Sequence, residues 1–281
     1  MIYWIESLYF ISTKINKNTR CPNMSFYFKE CKQSDIGDLI QRYVSTLSSP
    51  IDSVLEEHIL NSVFYTISYN SEVAGYYAIQ SNQYLTQFYL NLSYYNKSQE
   101  IFDNVLKDHS IRSILVPTCD ELFLSLVLDH DYKIEKQAYF FQDNKVEIPK
   151  EALFKDGEFR AAVPSDATKI TELCQDFLDK VEERIENREI FTYTKGSILL
   201  GIGIIETSKL LDRYGNMGMF TNEQYRKKGI GRTIIHHLKK WCYDNNLNPI
   251  CGCWYYNTPS KQTLESAGMA SKTRLLNIQV L

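Results

Sequence analysis

The chain has 281 residues, of which 44% are hydrophobic and 23% are charged, and its formal net charge is −3. This composition is typical of globular protein, and the length allows two domains of ordinary size. The acidic balance argues against a nonspecific nucleic-acid binder, because such proteins usually carry a surplus of positive charge. Seven cysteines, an odd number without C-x-x-C spacing, indicate reduced thiols, so we expect a cytoplasmic protein.

The chain begins with an apolar stretch that precedes the first predicted strand. The apolar stretch at 1–11 is too short to span a bilayer and carries Glu6, so residues 1–23 are expected to be an extension rather than a membrane anchor. A natural start at Met24 is the alternative.

From residue 25 onward, periodicity predicts a strand at 25–31, helices at 36–47 and 51–60, strands at 62–69, 72–80 and 83–92, a helix at 98–109, a strand at 112–119, a helix at 120–130 and a strand at 133–141.

After a polar stretch with two breakers, Pro149 and Gly157, the same order of elements begins again. The patterns predict a strand at 158–163, helical material at 164–187, strands at 189–194, 197–207 and 214–221, a helix at 229–246, a strand at 249–256, a helix at 260–268 and a strand at 273–281. The repeat suggests a duplicated unit. We therefore predict domains at 24–145 and 158–281, with a linker at 146–157.

Residues 224–235, QYRKKGIGRTII, place four cationic side chains and two glycines at the start of an apolar helix pattern. Gly229 and Gly231 let the backbone turn tightly and approach a ligand closely. The first amides of a helix lack internal partners and lie at the positive end of its dipole, so they can bind a phosphate. The spacing is neither a dinucleotide fingerprint nor a Walker loop. A plain turn beside a solvated charge run is the structural alternative.

Two segments together resemble the GNAT superfamily of N-acyltransferases over the second half of the chain. Residues 226–231 match the Q/R-x-x-G-x-G/A signature, and Asn257, Ser260 and residues 267–269 match the N-x-x-A/S…L-G-F segment. The resemblance, with the repeated order of elements, implies an α/β (α+β) fold of two tandem GNAT-like domains. Each would have a mixed, mostly antiparallel central sheet flanked by helices.

The resemblance also implies a site for acetyl-CoA as co-substrate. The loop amides would hold the diphosphate, and the strand at 217–221 would pair with the pantetheine arm where it parts from the next strand. Asn257 would hydrogen-bond the arm, although a loop-capping asparagine fits its position too. The implied CoA-binding residues are Met219, Phe220, Thr221, Arg226, Lys227, Lys228, Gly229, Ile230, Gly231, Arg232, Thr233, Asn257 and Ser260.

The implied chemistry is direct transfer of an acetyl group to a primary amine, which needs a proton acceptor. Glu206 and Glu223 are the candidates, and an ordinary surface carboxylate is the alternative for each. The family often protonates the leaving thiolate with a tyrosine, but Leu264 occupies that position. Another donor then serves (Tyr256, Tyr255 or Cys253), the thiolate leaves unassisted, or the protein is an inactive CoA-binding or interaction module. A nucleotide at the same corner is a further alternative.

The first half lacks the cradle motif, since residues 92–102 contain no glycine and only Lys97 as a cation. It resembles a GNAT-like domain that has lost CoA binding and instead shapes the acceptor pocket or packs against its twin. Its aromatic side chains line a pocket or, alternatively, belong to the core and surface. They are Tyr76, Tyr77, Tyr84, Phe88, Tyr89, Tyr94 and Tyr95.

The remaining expectations concern ligands and partners. The five histidines form no ligand spacing, and we expect Cys251 and Cys253 to face opposite sides of their strand, so we predict no metal site. The amine acceptor is expected to be a small molecule rather than a protein. We expect no nucleic acid and no membrane as partners, and a homodimer is compatible with the sequence.

Overall fold

Each half of the chain folds as six strands and four α-helices in the same order, in a computed structural model that describes residues 26–280. The first half contains β1 (Phe26–Cys31), α1 (Gly37–Thr46), α2 (Ser53–Leu60), β2 (Val63–Tyr69), β3 (Glu72–Gln80), β4 (Tyr84–Leu90), α3 (Ser98–Asp108), β5 (Ser113–Pro117), α4 (Glu121–Leu128) and β6 (Lys133–Asp143). The extension expected at 1–23 lies outside the described residues.

The second half repeats this order, as the sequence predicts. It contains β7 (Glu158–Ala161), α5 (Ala167–Cys174), α6 (Val181–Glu186), β8 (Ile190–Lys195), β9 (Ile198–Thr207), β10 (Tyr214–Thr221), α7 (Ile230–Asp244), β11 (Asn248–Trp254), α8 (Thr258–Ser266) and β12 (Met269–Gln279). Short 3-10 helices precede several of the α-helices. The helical material predicted at 164–187 consists of two short α-helices, α5 and α6, with a 3-10 helix before each.

All twelve strands form one sheet, in the order β1-β2-β3-β4-β5-β12-β6-β11-β10-β9-β8-β7. Among the strand pairs of residues 26–280, only β4–β5 and β10–β11 are parallel, so the expected mixed, mostly antiparallel sheet is confirmed. The sequence does not reveal how the halves join. The last strand of each half is inserted into the other: β12 lies between β5 and β6, and β6 lies between β11 and β12.

Helix α2 of the first half also packs against the second half. Leu55 of the helix and Ile51, just before it, share a hydrophobic cluster with Leu210, Leu211 and Ile250. The buried Glu56 carboxylate accepts hydrogen bonds from the Ser208 hydroxyl at 2.7 Å and from the Leu210 amide at 2.9 Å. The loop between β9 and β10 is thereby fixed to α2, so the first half forms one border of the space around β10.

Helix α7 packs on the other face of the sheet. Its apolar residues recur at helical spacing, and Ile230, Ile234, Ile235, Leu238 and Cys242 are all buried. The helix packs closely on β9 at Gly203, where only glycine fits, because a Cβ there would lie 2.8 Å from a Leu238 methyl group. This packing places the first turn of α7 beside the end of β10.

Candidate functional site

Strands β10 and β11 run side by side and then separate. They pair in parallel only from Tyr214–Asn248 to Asn216–Ile250. Beyond that point β10 stays paired with β9 as far as Thr221, and β11 stays paired with β6 as far as Trp254. A gap therefore opens between residues 217–221 of one strand and residues 251–254 of the other.

The backbone of β10 presents free hydrogen-bonding groups to this gap. The Tyr214 carbonyl and the Asn222 amide both bond to β9, so the even-numbered residues face that strand. The odd-numbered residues face β11, and the Met217 N–H still bonds the Ile250 carbonyl at the end of the parallel register. The Met217 C=O and both backbone groups of Met219 therefore face the gap. The carbonyl of Thr221 already accepts a hydrogen bond from the Arg226 guanidinium, at 3.3 Å. The free edge can pair with an extended ligand as an added strand would.

The loop between β10 and α7 ends in a concave run of unpaired amides. Lys227 has φ of 63° and Gly229 has φ of 80°, so left-handed residues alternate with residues of ordinary backbone. The first intrahelical bond is donated by the Thr233 amide to the Gly229 carbonyl. Within residues 26–280, no group accepts a hydrogen bond from the amides of 227–232. Such a backbone concavity at a helix N-terminus is an anion-binding arrangement.

Most cationic side chains of the loop are engaged with the protein itself. Arg226 pairs with Glu223 at 3.0 Å and lies over the Phe220 ring, while Lys228 lies 5.1 Å from the centre of the Tyr225 ring. The Lys227 ammonium contacts no partner group among residues 26–280. The backbone amides are therefore the principal anion-binding groups of this loop.

The linker between the halves packs on the opposite side of the same turn. Arg232 donates to the Ala152 carbonyl, and the buried Thr233 hydroxyl accepts a hydrogen bond from the Phe154 amide at 2.8 Å. The same hydroxyl donates to the Gly229 carbonyl at 3.0 Å. Both side chains thus hold the linker, although the Arg232 Nε–H has no partner within residues 26–280.

Gly231 is required by packing, because a Cβ there would lie 2.9 Å from the Thr263 methyl group, 3.2 Å from the Thr221 hydroxyl and 3.3 Å from the Met219 sulfur. Helix α7 can therefore approach β10 and α8 closely at this residue. Ile230 is buried beneath the turn and takes part only through its amide.

Asn257 is the N-cap of α8, and its Oδ1 atom accepts a hydrogen bond from the Ser260 amide at 3.1 Å. Asn257 therefore caps the helix, as the alternative interpretation of this residue expected. Its exposed side-chain N–H groups remain available to a ligand. Burial raises the pKa of the Cys253 thiol to about 11, although the nearby Ser260 side chain lowers it. Cys253 is therefore a neutral thiol at the edge of the gap.

The predicted catalytic side chains occupy three separate places. Glu206, on β9, forms an ion pair with Arg184, which also binds Glu189 at 3.1 Å. Glu223 lies beyond the end of β10 and pairs with Arg226. Tyr256 is 62% exposed, with its ring against Trp254 and Tyr255. Leu264, at the position of the family's usual tyrosine, is buried in the core beneath α8.

The prediction for the two cysteines of β11 is wrong. Cys251 and Cys253 pack against the same hydrophobic cluster, because residues i and i+2 of a strand share a face. Within the described residues, no three His, Cys, Asp or Glu side chains come together as metal ligands would. Among the helices of residues 26–280, none is long and apolar enough to cross a membrane.

The equivalent position in the first half has the gap but not the concave loop. Strands β4 and β5 pair only at Tyr84–Ser113 and Leu85–Ile114 and then part. A 3-10 helix at Leu92–Lys97 leads into α3, and no residue from 91 to 98 has a positive φ. The aromatic rings beside this gap belong to the core, since Tyr76, Tyr77 and Phe88 are fully buried.

Sequence reasoning missed four residues on the face of the sheet away from α7. Asp52 precedes α2, and its carboxylate lies against Gly252 of β11. Asn216 and Gly218 lie on the same face of β10. An isolated glycine within a strand often marks a place where another group approaches closely. Gly252 could therefore have predicted such a contact on β11. Nothing in the sequence pairs it with an aspartate 200 positions earlier.

Two family models match the sequence. Residues 32–144 match the model described as an acetyltransferase (GNAT) domain, and residues 171–269 match the model of the acetyltransferase (GNAT) family. No curated protein matches the sequence at a significant level.

Several solved structures share the fold along nearly the whole chain. An acetyltransferase of the GNAT family from Colwellia psychrerythraea is 19% identical with a TM-score of 0.82, over 91% of this chain and 100% of that one. A GCN5-related N-acetyltransferase from Sphaerobacter thermophilus is 13% identical with a TM-score of 0.62, over 90% and 95%. A tandem GNAT protein from the clavulanic acid biosynthesis pathway is 9% identical with a TM-score of 0.57, over 91% and 98%.

Proposed function

Because the chain belongs to the GNAT acetyltransferase family as two consecutive domains, we propose that its second domain transfers an acetyl group from acetyl-CoA directly to a primary amine. The observation that carries this proposal is the continuity of the gap with the amide concavity. The free edge of β10 at Met217 and Met219 leads to the unpaired amides of 227–232. A long ligand with a diphosphate at one end and an amide-containing arm at the other matches this sequence of groups.

The residues present fit acetyl-CoA in distinct roles. The amides of Lys227 to Arg232 would hold the diphosphate, with the Lys227 ammonium free to add charge. The edge of β10 would bind the pantetheine arm, and Asn257 would donate to it from its side-chain amide. The Met219 N–H would stabilise the negative charge that develops on the thioester oxygen during attack.

Replacing Gly229 by Asp tests the diphosphate site. Any side chain is strained at the φ of 80° found there, and its Cβ would lie 3.1 Å from the Arg232 guanidinium and 3.5 Å from the Ala152 carbonyl. Asp would therefore distort the turn that carries the amides and add a negative charge to it, which opposes binding of a diphosphate. We expect the Kd of acetyl-CoA, measured by calorimetry, to rise at least about 100-fold. Gly196→Asp is the control for backbone strain and added charge, because Gly196 also has a positive φ, of 58°, but lies in the turn between β8 and β9, where a Cβ meets no other atom within 4 Å. It should bind acetyl-CoA as the unchanged protein does.

Thiol release in the presence of acetyl-CoA and a panel of primary amines separates the enzyme from the alternative. The buried Leu264, where the family often has a proton donor, favours an inactive CoA-binding module as the second candidate. Release above background that is lost in Gly229→Asp supports transferase activity. Acetyl-CoA binding without release supports the inactive module, and competition by ATP would instead indicate a nucleotide site. Failure to bind acetyl-CoA would overturn both CoA-based proposals.

A further inference from the structure

The first half of the chain places a carboxylate beside the gap of the second half. Asp52 is the N-cap of α2, and its Oδ1 atom accepts a hydrogen bond from the Leu55 amide at 3.0 Å. Its Oδ2 atom lies so close to Gly252 that a Cβ at that position would overlap it. The carboxylate is 3% exposed. It therefore sits directly on β11, on the face opposite α7.

This position is level with the opening between the strands. Ile250 is the last residue of β11 that pairs with β10, and Gly252 lies two residues further on. Continuing the parallel register places Gly218 opposite Gly252. A Cβ at Gly218 would meet only the Ile204 side chain, at 3.6 Å. Two glycines thus leave space on this face of the gap, and Asp52 borders that space.

A second polar group on the same face lacks a partner. Asn216 is 4% exposed, and its Oδ1 atom forms no hydrogen bond with any of the described residues. The side chains of Asn216 and Gly218 point to the same side of β10, because they are two residues apart. A buried, unsatisfied carbonyl oxygen costs free energy unless it gains a donor. The N–H groups of an amine are suitable donors for it.

We propose that Asp52, supplied by the first domain, is the proton acceptor for the amine that attacks in the second domain's site. This inference rests on the transferase function proposed above. Asn216 would hold the amine by accepting one of its N–H groups. The acceptor would enter on the face that α2 borders, while acetyl-CoA would lie along the face that α7 covers.

The proton balance of the step is complete with these groups. Asp52 takes one proton from the ammonium form of the acceptor, and the freed lone pair forms a C–N bond with the thioester carbon. The C–S bond then breaks and the CoA sulfur leaves as a thiolate. That thiolate takes a second proton from the acylated nitrogen, which yields the amide and free CoA thiol. Asp52 releases its proton to water before the next cycle.

The surroundings of Asp52 suit this role at neutral pH. Burial raises its pKa to about 6, although the hydrogen bond from the Leu55 amide and the nearby His58 lower it. The nearest titratable groups of β11, the Cys251 and Cys253 thiols, point to the opposite face of the strand, and their pKa values are raised chiefly by burial. Asp52 is therefore ionised above about pH 6. The predicted bases Glu206 and Glu223 are each paired with an arginine, and Asp52 is not.

Asp52→Asn and Asp52→Ser test the proposal, because both residues are good N-caps but neither accepts the proton. We expect kcat/KM for the amine to fall at least about 100-fold at pH 7.5. The Kd of acetyl-CoA should stay within twofold of the wild-type value. The acidic limb of the pH–rate profile, expected near pH 6 in the wild type, should disappear.

Asp120→Asn is the matched control. Asp120 is also a buried N-cap aspartate, its Oδ1 atom also accepts an amide hydrogen bond at 3.0 Å, and burial raises its pKa to about 7. It belongs to α4, so its variant should keep kcat/KM within twofold.

Activity within threefold of wild type in both Asp52 variants, with the acidic limb retained, would overturn the role of Asp52 and leave the transferase proposal standing. An equal loss in Asp120→Asn would also overturn it, since burial alone would then account for the effect. If the wild type binds acetyl-CoA but releases no thiol with any amine, the role of Asp52 falls together with the transferase proposal.

Discussion

A chain that ends at Gly268, without strand β12, is expected to fold in neither half. Strand β12 pairs with β5 along residues 275–279 and with β6 along residues 269–279. Its buried residues Leu275 and Ile278 belong to the two separate clusters of the first half. Each large buried side chain contributes about 1.5–3 kcal/mol, and two strands lose their ladder partner as well. With the buried Met269, the three apolar side chains of β12 contribute about 5–9 kcal/mol, which is comparable to the 5–15 kcal/mol that stabilises an ordinary domain.

Thermal unfolding and limited proteolysis of this truncated chain measure the effect. We expect no cooperative transition and rapid cleavage within both halves. As a control, the intact chain can be cut at a protease site introduced at 155–157, in the linker. Its two fragments should remain together in gel filtration, because β6 stays inserted between β11 and β12. A truncated chain whose first half still unfolds cooperatively would contradict the exchanged arrangement.

Lys239→Met is expected to lower the free energy of unfolding by about 3–5 kcal/mol at pH 7, because it leaves a buried carboxylate without its cation. The Lys239 ammonium lies 2.6 Å from Asp143 Oδ1, and the two side chains are only 9% and 5% exposed. Lys239 also donates to the Ala267 carbonyl at 3.1 Å. Chemical denaturation of the variant and the wild type gives the difference.

The stability lost in Lys239→Met is also expected to depend on pH. Burial would raise the pKa of Asp143, but hydrogen bonds from Lys239 and Tyr243 outweigh it and hold the pKa below its ordinary value of 3.8. The stabilisation is therefore present above about pH 4 and is lost as the pH falls through the lowered pKa. The deficit of Lys239→Met should be largest at neutral pH and shrink on acidification. The double variant Lys239→Met, Asp143→Asn should recover most of it, and a single-variant cost below about 1 kcal/mol would contradict the prediction.

Local signals were enough to predict the order of elements and the position of the amide concavity. Strand alternation, capping residues and turn residues act over a few positions, and the structure repeats the same twelve-strand pattern that they indicate. Gly229 and Gly231 stand out because a basic, glycine-containing turn follows a strand and begins a helix. The conformation of Gly229 and the packing around Gly231 explain why glycine occupies both positions.

Long-range contacts explain what the sequence left hidden. The segments that form β6 and β12 are each predicted as a strand, and no local signal determines which neighbour such a strand pairs with. The role of Asp52 is hidden for the same reason, because a polar residue after Pro50 reads only as a helix start. The residue that it touches, Gly252, belongs to the other half. The assignment of Cys251 and Cys253 to opposite faces was an error of strand periodicity, which the sequence alone could have corrected.

The exchange of β12 also sets when the protein can fold during its synthesis. Ser113 of β5 meets Gln279 of β12 across a separation of 166 residues. At ordinary translation rates, β5 leaves the ribosome on the order of ten seconds before its partner is made. During that interval the nascent first domain carries an open strand edge that can pair with other chains. Folding of this protein is therefore completed only after translation has reached its final strand, and its yield depends on how well that edge is shielded until then.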